Sequence, residues 1–394
     1  MKALRTTSLL ALVASLSAPT MAAEINTKNR LEIRSDDGQF SLRLSARVHA
    51  DANFYNNEAV DHTSGAFIRR ARIGLSGHLA DWGYKIEYDN ASDAPILQDA
   101  WLNRKLGPGK LTIGNFKQFE SMEELTSSND ITFIERSHVA NVVASRNIGV
   151  GYTGNNDSLG YGISVYNLRN PSDGRTSAID EGHGFSGRAY FVPLNEDGQV
   201  LHLGVSYAME KIDSRVANPG PPIEFDGDDG RIRVRPAGRS GDARFELADV
   251  RGSRANIGRL NLEAAAVAGP VSFQAEYLIG EGDPQSGADQ DFSAYYATLS
   301  YMLTGESRRY DIKKGRFKQP RPNSANGAWE LAARFQGAEN DASNEDLNTV
   351  DVALNWYATQ NVLFKVNYTT VTNDEQNPGN EDTDLLSLRA QWAF

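Results

Sequence analysis

The chain has 394 residues, a formal net charge of −11 at pH 7 and no cysteine. The acidity argues against a nucleic-acid partner, because binding to a phosphate backbone favours a basic face. Without cysteine there is no disulfide framework, so if the chain is exported its stability must come from the fold itself.

The first segment, 1–23, has the pattern of a secretory signal peptide. Two positive charges precede the apolar run Leu9–Leu16, and small residues follow it up to Ala23. The run is too short for a transmembrane helix, which needs roughly 20 apolar residues. We therefore predict cleavage after residue 22 or 23, which removes the two positive charges and changes the net charge from −11 to −13.

From Phe40 onward, apolar and polar residues alternate with period two, which is typical of β-strands. About 16 segments of 8–12 residues show this pattern, starting near 40, 67, 82, 96, 110, 146, 159, 184, 200, 256, 271, 292, 328, 348, 361 and 385. A tilted membrane strand needs roughly 9–11 residues, and an even strand number suits a closed barrel without exposed edges. The sequence therefore predicts an all-β fold for 24–394, a 16-stranded antiparallel transmembrane β-barrel.

The connections between these segments alternate between short and long. The short ones have tight-turn compositions and lie at 80–81, 106–109, 154–157, 195–198 and 268–270. Most of the others are longer, at 51–66, 117–145, 168–183, 210–255, 280–291, 337–347 and 371–384. Barrels of the bacterial outer membrane have short periplasmic turns and longer outer loops. One link, 304–327, is long although it falls on the periplasmic side.

The polar face of the predicted strands carries many charged residues. The basic ones are Arg43, Arg47, Arg70, Arg72, Lys85, Arg188, Arg259, Arg334, Lys365 and Arg389. The acidic ones are Asp51, Glu87, Asp89, Glu263, Glu276, Glu330 and Asp351. An Arg or Lys facing hydrocarbon costs roughly 2–4 kcal/mol at mid-depth, so this face should point into a water-filled lumen. At this strand number the lumen leaves a channel.

Two basic clusters favour an anion as the solute. Arg69, Arg70 and Arg72 begin the second strand, and Arg231, Arg233 and Arg235 alternate in the longest loop. Alternation places the latter three on one face of an extended segment, about 7 Å apart, a spacing that could pass an oxyanion from one guanidinium group to the next. The other interpretation is a solvated loop in which these arginines pair with the acidic residues on either side of them.

Five motifs resemble signature segments of the phosphate-selective porin O and P family. They are Phe67–Gly77, Ile113–Lys117, Leu125–Ser128, Phe133–Arg136 and Leu303–Tyr310. The resemblance implies a trimeric 16-stranded barrel of the bacterial outer membrane, with loop three (117–145) and loop five (210–255) folded inward. It also implies a long inward periplasmic turn near the last motif, which accounts for the exceptional link 304–327.

The resemblance also implies the anion site. By position, Arg69, Arg70 and Arg136 match the family's arginines at the constriction, and Asp99 matches an acidic residue beside the site that could accept a proton from phosphate. The candidate set is completed by the serines of loop three and by the arginine ladder of loop five: Ser127, Ser128, Arg231, Arg233 and Arg235.

The sequence thus predicts a passive outer-membrane pore selective for inorganic phosphate or other small anions, embedded in lipid and lipopolysaccharide. The alternative is a general porin, or one for sugars or organic acids, in which the acidic residues of loop three cancel the basic constriction. An enzyme on a barrel is not expected, because no Ser/His or Asp/His constellation is recognisable. Neither a cofactor motif nor a metal spacing is visible in the sequence.

Overall fold

The structure, a computed structural model, describes residues 23–26, 31–56, 63–92, 95–168, 182–213, 231–240, 244–250, 254–373 and 383–394. The predicted signal peptide, apart from Ala23, lies outside these residues, and its removal stays a prediction. No helix in the described ranges is long and apolar enough to cross a membrane.

The described residues form mostly β-strands and two single-turn helices. The strands are β1 Ala23–Asn26, β2 Leu31–Ser35, β3 Phe40–Tyr55, β4 Gly65–Leu79, β5 Trp82–Asp89, β6 Ile96–Leu106, β7 Gly109–Lys117, β8 Arg146–Asn155, β9 Leu159–Asn167, β10 Gly182–Glu196, β11 Gln199–Asp213, β12 Arg231–Val234, β13 Phe245–Asp249, β14 Arg254–Ala268, β15 Val271–Pro284, β16 Gln290–Met302, β17 Arg309–Asp311, β18 Arg316–Lys318, β19 Ala328–Asn340, β20 Glu345–Tyr357, β21 Val362–Asn373 and β22 Thr383–Ala393. The helices are α1 Met122–Leu125 and α2 Val139–Val142.

Within the described part of the chain, sixteen strands close into one antiparallel barrel. These are β3–β11, β14–β16 and β19–β22, each paired with its neighbours. The last strand closes the barrel on the first, from Leu385 opposite Tyr55 to Ala393 opposite Arg47. The predicted 16-stranded barrel is confirmed, and every predicted strand start lies within three residues of the observed one.

Apolar side chains cover the outside of the barrel, as the period-two pattern predicted. In β9, Ile163 and Val165 are exposed on the outer face, whereas Ser164 between them is buried inside. Two stacks of aromatic rings mark the edges of this apolar surface, Trp329–Trp356–Phe364 and Tyr277–Tyr295–Phe335. Six residues of β19 separate the two stacks, about 20 Å by strand rise. This spacing suits aromatic girdles on either side of a bilayer core.

Two aromatic residues beside these outward-facing rings point inward. Tyr296 donates a hydrogen bond to Glu276, 2.7 Å, and Tyr357 donates one to Glu330, 2.6 Å. Each follows an outward-facing aromatic residue by one position, so strand alternation places it on the opposite face.

Loop three crosses the barrel interior. It leaves β7, and its α1 segment meets the opposite wall, where Glu276 accepts hydrogen bonds from the backbone amides of Met122 (3.0 Å) and Glu123 (2.8 Å). Further along, the amide of His138 donates to Gln336 of β19 at 3.0 Å. The predicted inward fold of this loop is confirmed.

Loop five and the long periplasmic turn also fold inward. The hairpin β12–β13 packs its apolar face on α2 and on buried wall residues of β14–β16 and β19–β21. The turn forms the hairpin β17–β18. Arg188 of the wall holds this turn by donating to the carbonyls of Lys314 (3.1 Å) and Gly315 (2.6 Å). The strands of these hairpins, and of the β1–β2 hairpin that extends along β3, were not recognised from the sequence.

These inward segments change the environment of the predicted lumen charges. Arg334, Glu330 and Lys365 are buried under loop three and do not face open water, so that expectation was wrong for this wall. Among the charged residues of the barrel wall, Arg47, Arg72, Lys85 and Arg146 on the wall β3–β8 keep side-chain exposures of 11–23%. We therefore place the passage between this wall and loop three.

Candidate functional site

A β-bulge in β4 turns two consecutive arginines toward the barrel interior. Arg70 lies opposite His49 of β3, whereas Ile68 lies opposite Ala50, so Arg69 is the extra residue between two ladder positions. A bulge of this kind shifts the side-chain alternation by one residue. Ile68 therefore remains on the outer face, while Arg69 and Arg70 both contact interior side chains.

The two arginines have different partners. Arg69 binds Glu135 of loop three through two hydrogen bonds, Nε–Oε1 2.7 Å and Nη2–Oε2 3.1 Å. Arg70 is only 5% exposed, its Nη1 lies 3.4 Å from Nδ1 of His49, and its Nε has no hydrogen-bond partner. Arg70 makes no ion pair with any described residue. A buried guanidinium without a counter-charge is costly, which makes Arg70 suited to accept an incoming anion.

Further guanidinium groups surround Glu135. Arg389 of β22 lies with Nη2 3.3 Å from Oε1 of Glu135, and Arg239 of loop five lies with Nε 3.7 Å from Oε2. Arg389 also donates two 2.7 Å hydrogen bonds to Asp51 of β3. Segments from the first strand, the last strand and two loops therefore meet at one point inside the barrel.

We call Arg69, Arg70, Arg239 and Arg389 the guanidinium cluster. Among the described residues, Arg69, Arg70 and Arg389 already outnumber the carboxylates of Glu135 and Asp51, so the cluster has an excess of positive charge even without Arg239. Burial alone would raise the pKa of Glu135, but Arg69, Arg70 and Arg389 outweigh burial and hold this pKa well below its usual range. Glu135 is therefore a stable anion inside the cluster.

A second set of ion pairs, the wall network, lies on β3–β8. Its members are Arg47, Arg72, Lys85, Arg146, Glu87, Asp89 and Asp99. Asp99 accepts from Lys85 at 2.5 Å and from Arg146 at 3.0 Å. The predicted neighbour of the anion thus already binds two cations, and its role as a proton acceptor stays a prediction.

Arg136 is engaged within loop three. It pairs with Glu124 (Nε–Oε2 3.2 Å) and donates to the carbonyls of Thr126 (2.7 Å) and Glu123. Lys117 binds Glu124 as well, at 2.9 Å. Burial would raise the pKa of Glu124, but Lys117 and Arg136 lower it to about 2. These contacts show Arg136 holding the base of the loop, and its predicted contact with an anion is untested.

The two candidate serines occupy different positions. Ser128 accepts a hydrogen bond from Nη1 of Arg47 at 3.0 Å, which connects loop three to the wall network. Ser127 accepts one from the backbone amide of Asn129 at 3.3 Å and so shapes a local turn. Of the pair, Ser128 lies beside a cation of the passage.

The candidate arginines of loop five lie on and just after β12. Ile232 and Val234 are buried in the apolar cluster, so alternation places Arg231 and Arg233 on the opposite face of the strand. Arg235 follows the strand and is buried. Among the described contacts of this loop, it is Arg239 that reaches Glu135 and the guanidinium cluster.

Sequence reasoning did not assign Arg389 and Arg146 to the site. The sequence carried a partial signal for both residues, since each arginine lies on a predicted strand face. Arg389 lies opposite Asp51 in the register that closes the barrel, a pairing of opposite charges that could have been found by aligning the last strand with the first. Among the described residues, no group of three or more His, Asp or Glu side chains is arranged to hold a metal ion.

A closed barrel with an apolar belt, inward loops and an arginine-rich constriction defines a channel protein of the bacterial outer membrane. The chain belongs to the family described as phosphate-selective porin O and P, which it matches over residues 42–394. Porin O of Pseudomonas aeruginosa is 30% identical over 419 aligned residues, which cover 94% of this chain and 92% of that protein.

Solved porin structures share the fold at low sequence identity. The anion-selective porin from Comamonas acidovorans has a TM-score of 0.60 at 12% identity and covers 90% of this chain and 100% of its own. The trimer form of OmpT from Vibrio cholerae has a TM-score of 0.58 at 10% identity and covers 90% of this chain and 99% of its own. At these identities the likeness shows the barrel architecture alone.

Proposed function

We propose that this channel selects small anions, with inorganic phosphate as a bound solute, at the guanidinium cluster. The observation that carries the proposal is Arg70, a buried cation that forms no ion pair with any described residue. Rings of Arg or Lys favour anions in pores. Over the cluster and the wall network together, eight basic side chains face five acidic ones.

Arg69 and Arg70 supply the binding geometry. Consecutive residues that both point inward present two guanidinium forks to one solute, and each fork can bind two oxygens of a phosphate. The wall network then offers weaker attraction along the passage, because each of its cations already shares a carboxylate. Such a gradient suits conduction, which needs binding strong enough to enter and weak enough to leave.

The assembly and surroundings belong to the same proposal. We expect a homotrimer in the outer membrane, supported by family membership and by the trimer form of OmpT from Vibrio cholerae. The acidic outer loops fit an interaction with lipopolysaccharide through divalent cations, and the exposed apolar belt fits lipid.

One observation favours small organic acids as a second class of solute. The bidentate contact between Arg69 and the side chain of Glu135 shows that the cluster accommodates a carboxylate group. This is the other-solute porin of the sequence analysis in a specific form. Acetate or succinate in place of phosphate would then reduce the chloride current at similar concentration.

The deciding experiment is a recording from single pores in a planar bilayer. The reversal potential under a KCl gradient gives ion selectivity, and a phosphate titration of the chloride current gives binding. Anion preference with saturable block by phosphate supports the proposal, and loss of the block in the double variant R69A/R70A assigns it to the cluster. A cation-selective or indifferent pore without phosphate block would overturn it.

A further inference from the structure

Glu135 occupies a position that an anionic solute would need. Its two carboxylate oxygens lie on Nε and Nη2 of Arg69, within 3.3 Å of Arg389 and 3.7 Å of Arg239. Its side chain is 20% exposed, whereas that of Arg389 is fully buried. The carboxylate is thus more exposed than Arg389 and about as exposed as Arg69, at 17%, so it borders the open space beside the guanidinium cluster.

The backbone of this segment is held independently of the carboxylate. Arg389 donates from Nη1 to the carbonyl of Ile134 at 2.7 Å, and Arg334 donates to the carbonyl of Glu135 at 3.2 Å. Arg389 also keeps both hydrogen bonds to Asp51. The Glu135 side chain can therefore rotate away from the cluster without a movement of loop three, and Arg389 retains a counter-charge when it does.

From this geometry we infer that Glu135 is an internal competitor, a tethered carboxylate that occupies the anion site and is displaced by each anion that binds. The inference rests on the proposed function, since it concerns the same cluster. Its consequence is a site whose affinity for anions is lowered by the competing carboxylate. The positive cluster attracts anions, while the returning carboxylate helps to release them, which favours flux over retention.

The effect of the competitor on affinity follows from site occupancy. If the carboxylate leaves the site free for about one tenth of the time, the apparent affinity for a solute falls about tenfold, because only the free fraction binds. Arg70 is not ion-paired with Glu135 and is not released by its departure. A displacing anion would contact Arg70 in addition to Arg69, which is how it can compete with a tethered group.

The test compares phosphate block of the chloride current in wild type, Glu135→Gln and Asp130→Asn. Asp130 lies in the same loop and its substitution removes the same charge, but its carboxylate contacts the amide of Gln319 and not the cluster. We expect at least about tenfold tighter phosphate block for Glu135→Gln, with slower recovery from block, and less than twofold change for Asp130→Asn. The heat-dependent mobility of the barrel in SDS gels verifies that each variant is folded.

The outcomes separate this inference from the proposed function. Phosphate block of equal strength in wild type and Glu135→Gln would overturn the internal competitor while the anion channel stands. Equal tightening in both variants would also overturn it, since removal of charge anywhere in loop three would then suffice. Block that appears only in Glu135→Gln supports the competitor in its strongest form. Absence of block in both would overturn the competitor and phosphate selectivity together.

Discussion

Replacement of Arg70 by Ala should weaken anion binding without weakening the barrel. The side chain is buried, yet its described polar contact is a single approach of 3.4 Å to His49, and it forms no ion pair with a described carboxylate. Truncation therefore leaves no orphaned partner, and it removes a like charge from the vicinity of Arg69 and Arg389. We expect the free energy of unfolding to change by less than about 1 kcal/mol.

The matched control is Arg389→Ala, a change of the same residue type in the same cluster. It would leave Asp51 and the carbonyl of Ile134 without their donors. Breaking a buried ion pair by removing one partner costs about 3–5 kcal/mol. The two arginines should thus differ in their contribution to stability, although they lie within the same group of side chains.

The binding effect of Arg70→Ala follows from charge-assisted hydrogen bonds. Such bonds contribute about 1.5–3 kcal/mol each, so phosphate block should weaken roughly 10- to 100-fold. Bilayer titration measures the block, and urea unfolding followed by tryptophan fluorescence measures stability. A variant that loses stability like Arg389→Ala but binds phosphate like wild type would refute the reasoning, because Arg70 would then be a structural cation.

The remaining outcomes concern the segments that fill the barrel. Glu124→Gln should make single-channel current noisier, since loop three loses an ion pair at its base. In the wild type, the pKa of Glu124 is about 2, below its usual value of 4.5, so this stabilisation is present above pH 4.5 and lost as the pH falls through about 2. Gly315→Ala should lower the free energy of unfolding by about 1–3 kcal/mol. At Gly315, φ is +56° and a Cβ would lie 2.7 Å from the Tyr190 ring. The control is Gly305→Ala, where φ is +89° and no atom lies within 4 Å, so that this variant carries backbone strain alone. Val234→Asp should expose loop five to limited proteolysis while the barrel stays folded, because the carboxylate would enter an apolar cluster. Three results would contradict these contacts: unchanged current noise in Glu124→Gln, equal losses of stability in both glycine variants, or a loop five that resists proteolysis in Val234→Asp.

The barrel could be predicted because its rule is local. Each strand alternates between lipid and interior, so the pattern in β3 or β22 is legible without knowledge of its neighbours. The hairpins β12–β13 and β17–β18 follow a different rule. Their strands have three to five residues and are stabilised by distant parts of the wall, such as Arg188 for the turn. No short-range pattern encodes such a contact.

The candidate site was only partly predictable for the same reason. Arg69 and Arg70 were found through a motif, but the bulge that turns both inward arises from the pairing of β4 with β3. The role of Glu135 depends on where loop three ends up relative to Arg389, which lies more than 250 positions away in the sequence. Charge counting along the chain could therefore indicate that acids of loop three offset the candidate arginines, but it could not show which carboxylate meets which guanidinium group.

The acidity of the whole chain is compatible with a basic constriction because dissolved salt screens the exposed acidic residues from the constriction. Exposed charges act over about one Debye length, near 8 Å at physiological ionic strength. Asp384, at the outer end of β22, lies five residues from Arg389, about 17 Å by strand rise. Its field is largely screened at the guanidinium cluster, whereas the buried cations there face the solute through little water. We therefore expect Arg70 and its neighbours to decide selectivity, and not the net charge of −11.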